Sequence, residues 1–405
     1  MVLKDVEWEI GLLNKLVAID TINTGTTRRN YKKCADLIIT EAKKLGLQAQ
    51  IIDGKSATED GESRPNVVVD LNKDSDATIL FVTHYDVVPV QRDNWDTDPF
   101  QLTIIGDKAY GRGAADDKSG IAIVFGAMRQ LLKEHTDVNF RLCAACDEET
   151  GGPGGIEYLF KHAKIRGNAG IVVDAGSQYV GIGASGLVWG RVIVKGEGGH
   201  SGNPDILNNP IYRAARLIQT LEGYHETIKE TVSSKIHGPP AAIKPKLYGR
   251  FSVSMIKAWE KENIIPDQCE FRFDRRITPE EEPDEAANAV VDFIEKTAKK
   301  QETKVEVEII NKVHGYLTDP EHPWVKIFHQ TAEKTLKKEF YLGADLGFDD
   351  GMYLSDVGIP VVTFGALRDG TRYHSHNEFV WLEDIRDCRN VFIELGRIPI
   401  KNFDF

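Results

Sequence analysis

Tyr110-Gly111-Arg112-Gly113-Ala114-Ala115-Asp116-Asp117-Lys118-Ser119-Gly120 is a glycine-rich turn that delivers two carboxylates to an apolar, helix-like run from Ile121 to Leu132. Taken alone it has two readings. In one, Asp116 or Asp117 caps the helix, because Asp at a helix N-terminus accepts hydrogen bonds from backbone N–H groups that lack an intrahelical partner. In the other, one of the pair binds a metal, and the glycines let the backbone pack closely around the ion. The flanking segments decide between them.

Outward from this turn, strands alternate with helices. Ala77 to Val82 is an apolar run typical of a strand buried on both faces, and it ends in Thr83-His84-Tyr85-Asp86. Asn139 to Ala145 is a second such run, ending in Cys146-Asp147-Glu148-Glu149, and Gly170 to Val173 ends in Asp174. Glycine-rich Gly151 to Gly155 between them leads into a helix. Earlier in the chain, Val6, Ile10, Leu13 and Val17 mark an amphipathic helix, and Tyr31, Ala35, Ile38 and Ala42 a second. Gln48 to Ile52 and Asn66 to Leu71 read as strands. This alternation predicts an α/β domain around a mostly parallel mixed sheet. In such sheets ligands bind beyond the carboxyl ends of the strands. His84, Asp86, Glu148, Glu149 and Asp174 are therefore expected along one edge, with Asp116 on a nearby loop. A single polar residue at a loop start needs no function, but three consecutive strand tips carrying His or acid do.

From about Ser185 the order changes to strand (Leu187 to Lys195), helix (Asn209 to Leu221), two strands (Leu247 to Lys257, Cys269 to Ile277), helix (Glu281 to Lys299) and strand (Lys304 to Ile310). That is the order of a ferredoxin-like split βαβ layer. The first layer resumes near Val313, with a helix over Pro323 to Leu336, a strand at Pro360 to Phe364 and a last helix over Glu383 to Leu395. The expected division is a catalytic domain over residues 1–184 and 312–405, interrupted by an α+β lid and dimerisation domain over residues 185–311.

Bulk properties narrow the function. A chain of 405 residues suits two domains, and a formal net charge of -12 argues against a nucleic-acid or anionic-membrane partner. No apolar run is long enough to span a bilayer. The N-terminus lacks the basic region and unbroken apolar core of a signal peptide, so a cytoplasmic protein is expected. Five cysteines spread through the chain do not make a disulfide framework, and Cys143 and Cys146 read as buried small residues despite their redox-type spacing. Gly196-Glu197-Gly198-Gly199 lacks both a full dinucleotide fingerprint and a P-loop Lys.

The candidate ligands are imidazoles and carboxylates without a thiolate. That mix suits zinc or a similar borderline divalent ion better than calcium. Arg372-Tyr373-His374-Ser375-His376-Asn377-Glu378 supplies a further imidazole from the returning layer. Glu148 and Glu149 offer separate roles, one holding metal and the other moving a proton of the attacking water.

These residues resemble one family: the zinc aminoacylase, acetylornithine deacetylase, succinyl-diaminopimelate desuccinylase and glutamate carboxypeptidase family of dizinc hydrolases. The resemblance runs through Arg64-Pro65-Asn66, His84 to Pro89, Trp95 with Asp98-Pro99-Phe100, the opening turn, Asp147-Glu148-Glu149 and Val173-Asp174. It continues in Gly199-His200-Ser201-Gly202, Asn263 to Asp267, and His374 with Asn377-Glu378. It implies two Zn2+ per subunit, with Co2+ or Mn2+ as substitutes. Asp116 would bridge the ions, His84 and Asp174 completing one site and Glu149 and His374 the other. Asp86 would orient His84, and Glu148 would be the general base that draws a proton from the metal-bridging water. His376 is expected beside the site or facing solvent.

The same resemblance implies that His200 reaches from the lid into the partner subunit's site, in a homodimer joined through the insert. Asn263 and Arg276 would contact the substrate's carbonyl or carboxylate, with a structural salt bridge as the plainer role for Arg276. The peptide bond after Asp116 would be cis. The implied activity is hydrolysis of an amide in a small N-acyl amino acid, or of a short peptide by a carboxypeptidase or dipeptidase. An inactive metal-binding scaffold is disfavoured because it would need no Glu148. Two departures bear on the substrate. Met352 stands where many deacylases carry an Arg, and Ala258-Trp259 stands where relatives often have glycines.

Overall fold

Thr78–His84 is buried from Ile79 onward, which is why its sequence is continuously apolar rather than alternating. The computed structural model describes residues 2–134, 136–240, 242–258 and 261–403, so Trp259 lies outside the described residues. The chain folds as two units. The first comprises Met1–Ile182, Thr318–Leu342 and Asp349–Phe405, and the second Gly183–Leu317 and Gly343–Phe348.

In the first unit, strands β1 (Gln48–Asp53), β2 (Pro65–Leu71), β3 (Thr78–His84), β4 (Asn139–Ala145) and β5 (Ala169–Val172) form a mixed sheet in the order β1-β2-β4-β3-β5. β1 and β2 are antiparallel, as are β2 and β4. β4, β3, β5 and the strand Val361–Thr363 all run parallel. The fold is thus α/β, and the three tips bearing His84, Glu148 and Asp174 lie side by side at one sheet edge. The helix Lys118–Leu131 is buried along most of its length, with Glu7–Val17 and Leu382–Gly396 packed against it. Its near-uniform apolar sequence follows from that burial.

Three differences from the sequence reading matter here. The expected helix after Gly155 forms but is short, and its Tyr158–His162 part is π-helical. Gly343–Phe348, within the stretch assigned to the returning layer, belongs to the second unit. A small sheet of Thr103–Ile105, Lys108–Tyr110 and Phe379–Trp381, too short to show any periodicity, pairs Tyr110 with Phe379. That pairing places Glu378 against the opening turn, where Gly111 N–H donates to Glu378 O at 3.0 Å.

The second unit is a four-stranded antiparallel sheet of β6 (Gly186–Lys195), β7 (Arg250–Lys257), β8 (Gln268–Ile277) and β9 (Lys304–Val313), ordered β7-β8-β6-β9. Helices Pro210–Ile228 and Pro283–Lys300 cover one face, burying Leu217, Leu221, Val290 and Ile294 against Val192, Val194, Phe271 and Phe273. This is the ferredoxin-like arrangement. Alternate residues of β8 reach that core, which explains its period-two pattern.

Candidate metal centre

Asp116 faces two imidazoles at once. Its Oδ1 lies 2.9 Å from His84 Nε2 and its Oδ2 3.1 Å from His374 Nε2. His374 Nε2 is also 3.0 Å from Glu149 Oε2. His84 Nε2 is 3.7 Å from Asp174 Oδ2 and 4.0 Å from Glu148 Oε2. His84, Asp116, Glu149, Asp174, His374 and Glu148 therefore converge within the first unit. His376 is exposed.

The opening turn resolves into both of its readings. Asp117 caps the helix, accepting from Gly120 N–H at 3.2 Å, which leaves Asp116 for the centre. The Asp116–Asp117 peptide is cis. Gly113 has φ +80, and a Cβ there would come within 2.8 Å of Val87 Cγ1, so the glycine is required by both its backbone and its neighbour.

Asp86 organises two sides of the centre. Its main-chain O lies 3.0 Å and its Oδ1 3.5 Å from His84 Nδ1, which leaves Nε2 facing the cluster. Its carboxylate also accepts from the backbone N–H groups of Glu148 (3.2 Å) and Glu149 (3.3 Å), and from Asn23 Nδ2 (2.9 Å). Asp147, at φ 93, is held by Arg64 Nε and Arg28 Nε, each at 3.0 Å. The sequence reading expected Asp86 against His84 but missed its bonds to the Glu148 and Glu149 backbone, the arginines on Asp147 and the contacts of Glu378. Their motifs were visible, but nothing in residue spacing indicates which distant partner each one meets.

The electrostatics of the cluster follow from its burial and its crowding of carboxyls. Burial pushes the carboxyls of Glu148 and Asp174 well above the usual carboxylate range, with Glu149 and Asp116 respectively adding to the rise. Burial and the Asp116 carboxylate raise Glu149 to about 7. Burial opposes protonation of His84, but Asp116 and Asp86 outweigh it and hold the ring well above its ordinary value. Asp116 and Glu149 raise His374 to about 11. Negative charge is concentrated here in a poorly solvated place, offset by imidazolium. Asp174 Oδ1 is buried without a hydrogen-bond partner. His84, Asp116 and Glu149 each offer one ligand atom, all within 4.8 Å of one another. This donor set fits a divalent cation, whose charge would reverse these shifts.

Comparison with known proteins agrees with that geometry. The description "Peptidase family M20/M25/M40" matches residues 80–397. The chain belongs to this family. It is therefore an M20-type metallohydrolase. It is 25% identical to an uncharacterised metallohydrolase of Methanocaldococcus jannaschii, over 96% of this chain and 99% of that one. A succinyl-diaminopimelate desuccinylase of a Sulfurovum species is 26% identical over 78% of this chain and 82% of its own. The dipeptidase Dug1p of Saccharomyces cerevisiae shares the fold with a TM-score of 0.80 at 17% identity, covering 98% of this chain and 97% of that one.

The second unit brings together a different pair. His200 lies on a two-residue strand paired with Ile264–Ile265, and Ser201 N–H donates to Asn263 O at 3.1 Å. Both His200 and Asn263 are exposed. His200 Nδ1 accepts from Gly202 N–H at 3.0 Å, so its Nε2 is the ring nitrogen that carries a proton. Arg276 pairs with Asp274 Oδ2 at 2.9 Å. Met352 is buried in the first unit.

Proposed function

We propose that this M20-type chain hydrolyses the amide bond of a small N-acyl amino acid, in the manner of a deacetylase or desuccinylase, with two divalent cations per subunit. The observation that carries this reading is Asp116 with its two carboxylate oxygens turned towards two different imidazoles, beside Glu148. His84, Asp116 and Asp174 would hold one cation, and Asp116, Glu149 and His374 the other. Zinc suits the donors, with cobalt or manganese as substitutes. When bound, the cations supply Lewis-acid polarisation of the scissile carbonyl and a more acidic water.

The remaining steps belong to the chain's own residues. Glu148 accepts a proton from water as the water oxygen adds to the amide carbon. It delivers that proton to the amide nitrogen as the C–N bond breaks, leaving a carboxylate and an amine. Asp86 fixes the Glu148 backbone and the His84 ring while this happens. His200 donates its Nε2 proton in a hydrogen bond to the carbonyl oxygen of substrate held by the partner subunit, in a homodimer formed through the second unit. Asn263 and Arg276 bind the substrate's polar groups, Arg276 matching a carboxylate. The alternative reading, a dipeptidase or carboxypeptidase, uses the same residues with an amino acid on the carbonyl side. The fold shared with Dug1p motivates it.

The test is a side-by-side screen of metal-loaded protein and Glu148→Ala on N-acetyl and N-succinyl amino acids and on dipeptides. Glu148→Ala should keep its metal and lose about 10²–10⁴-fold in kcat. Turnover that survives the substitution, or its absence from both proteins on every substrate, would sink the reading. In the same assay, mixing inactive Glu148→Ala chains with inactive His200→Ala chains should restore partial activity. A mixture as inactive as its parents would refute a role for His200 in trans.

A further inference from the structure

His374 lies on a segment of turns and bends, outside any helix or strand. Its side chain is 53% exposed, and its backbone lies at φ 58, in the left-handed region. Arg372 (φ 61) and Asn377 (φ 55) share that conformation, so three non-glycine residues of one short segment are left-handed. Each such residue costs about 1–2 kcal/mol, so the segment does not hold this form by itself. His84, by contrast, ends one strand and Asp174 comes just after the adjacent parallel one.

The contacts that hold the segment lie on its last residues. Glu378 is wholly buried. Its Oε1 accepts from the backbone N–H of Ala115 (2.9 Å) and of Asp116 (3.2 Å), and its Oε2 from Arg112 Nη1 (2.5 Å). Arg112 Nη2 in turn donates to Ser375 O at 2.9 Å, next to His374. Asn377 adds a two-way bond to Asp96, accepting from its N–H and donating to its Oδ2, each at 2.8 Å. A closed circuit therefore runs from the turn that carries Asp116, through Glu378 and Arg112, to the segment that carries His374.

We infer that Glu378 and Arg112 are positioning residues that set the spacing between Asp116 and His374, and so tune the affinity of one of the two cation positions. That position is the one formed by Asp116, Glu149 and His374. The one completed by His84 and Asp174 shares Asp116 but takes its other two ligands from the sheet edge, so it should respond to the clasp less. This rests on the dinuclear reading above. Charge-assisted bonds to a buried carboxylate are the stronger kind, and supports behind metal ligands commonly change affinity by about 10–100-fold.

The experiment is a Co2+ titration of the full-length, metal-stripped protein, followed by visible absorption, for wild type and Glu378→Gln. Metal content after dialysis against graded chelator is measured in parallel. Wild type should bind two ions. Glu378→Gln should bind one with affinity changed by less than about threefold and the second about 10–100-fold more weakly. Two ions bound by the variant as tightly as by wild type, or both weakened in parallel, would overturn the clasp alone. Fewer than two bound by wild type would overturn the dinuclear reading with it. Should Glu378→Gln not fold, Arg112→Lys carries the same test. It keeps the charge but cannot reach Glu378 and Ser375 O together, and it should show the same one-sided loss.

Discussion

Asp147 adopts φ 93 at the tip of β4, and that turn aims the next two backbone N–H groups at the Asp86 carboxylate. Glu148 and Glu149 are therefore presented by a residue that never enters the centre. The turn is held by the buried ion pair Arg64–Asp147, at 3.0 Å, with Arg28 on the other oxygen. Removing one member of a buried pair leaves an uncompensated charge, which costs about 3–5 kcal/mol. Arg64→Met should fall at the lower end, about 3 kcal/mol, because Arg28 remains. A urea unfolding midpoint equal to wild type would show that the pair contributes nothing. His84, Glu149 and Asp174 were legible from the chain because each stands at the end of an apolar run, whereas Asp116 and His374 were legible only through the resemblance of their motifs. The roles of Arg64, Arg112 and Glu378 were not, because a guanidinium's partner is a fact of three-dimensional neighbourhood.

Elements divide the same way. The core strands and the helix Lys118–Leu131 were readable because burial leaves a continuous apolar signature in the sequence. The sheet of Thr103–Ile105, Lys108–Tyr110 and Phe379–Trp381 was not, since three residues cannot establish a period. It nevertheless holds the opening turn against Glu378. The helix start offers a direct test of the element's design. A Cβ on Gly120 would come within 2.6 Å of Asp117 Oδ1, so Gly120→Ala must displace the capping carboxylate. Loss of such a cap costs about 1 kcal/mol, read as a lower unfolding midpoint in thermal circular dichroism. An unchanged or raised midpoint would mean that the cap can shift without cost.

At the scale of the whole molecule, metal and pH are linked through the centre. The raised Glu149 carboxyl, from an ordinary value of 4.5 to about 7, means that the folded metal-free chain holds a proton that the unfolded chain releases. Stability therefore falls as pH rises through that window. His374, raised from 6.5 to about 11, has the same sign: its contribution is full below 6.5 and is lost as pH rises towards 11. Metal-stripped protein should thus lose thermal stability steadily between about pH 5 and 9. Loaded protein should not, because the ion replaces the protons as the counter-charge. Thermal melts with and without chelator across that range check this. Parallel pH profiles would show that the ion does not relieve the cluster.

No described helix is long and apolar enough to cross a membrane, which matches what the sequence predicts. The sequence by itself determined the α/β class, the ferredoxin-like second layer and the candidate ligands, because hydrophobic periodicity and strand-end chemistry are local and survive in one dimension. Only the tertiary structure decided that Asp117 caps the helix while Asp116 faces both imidazoles. The turn alone allowed either, and the outcome depends on where the segment carrying His374 returns. It also decided what holds that segment, through the circuit of Glu378 and Arg112. Contacts of that kind depend on folded proximity and leave no periodic trace in the chain.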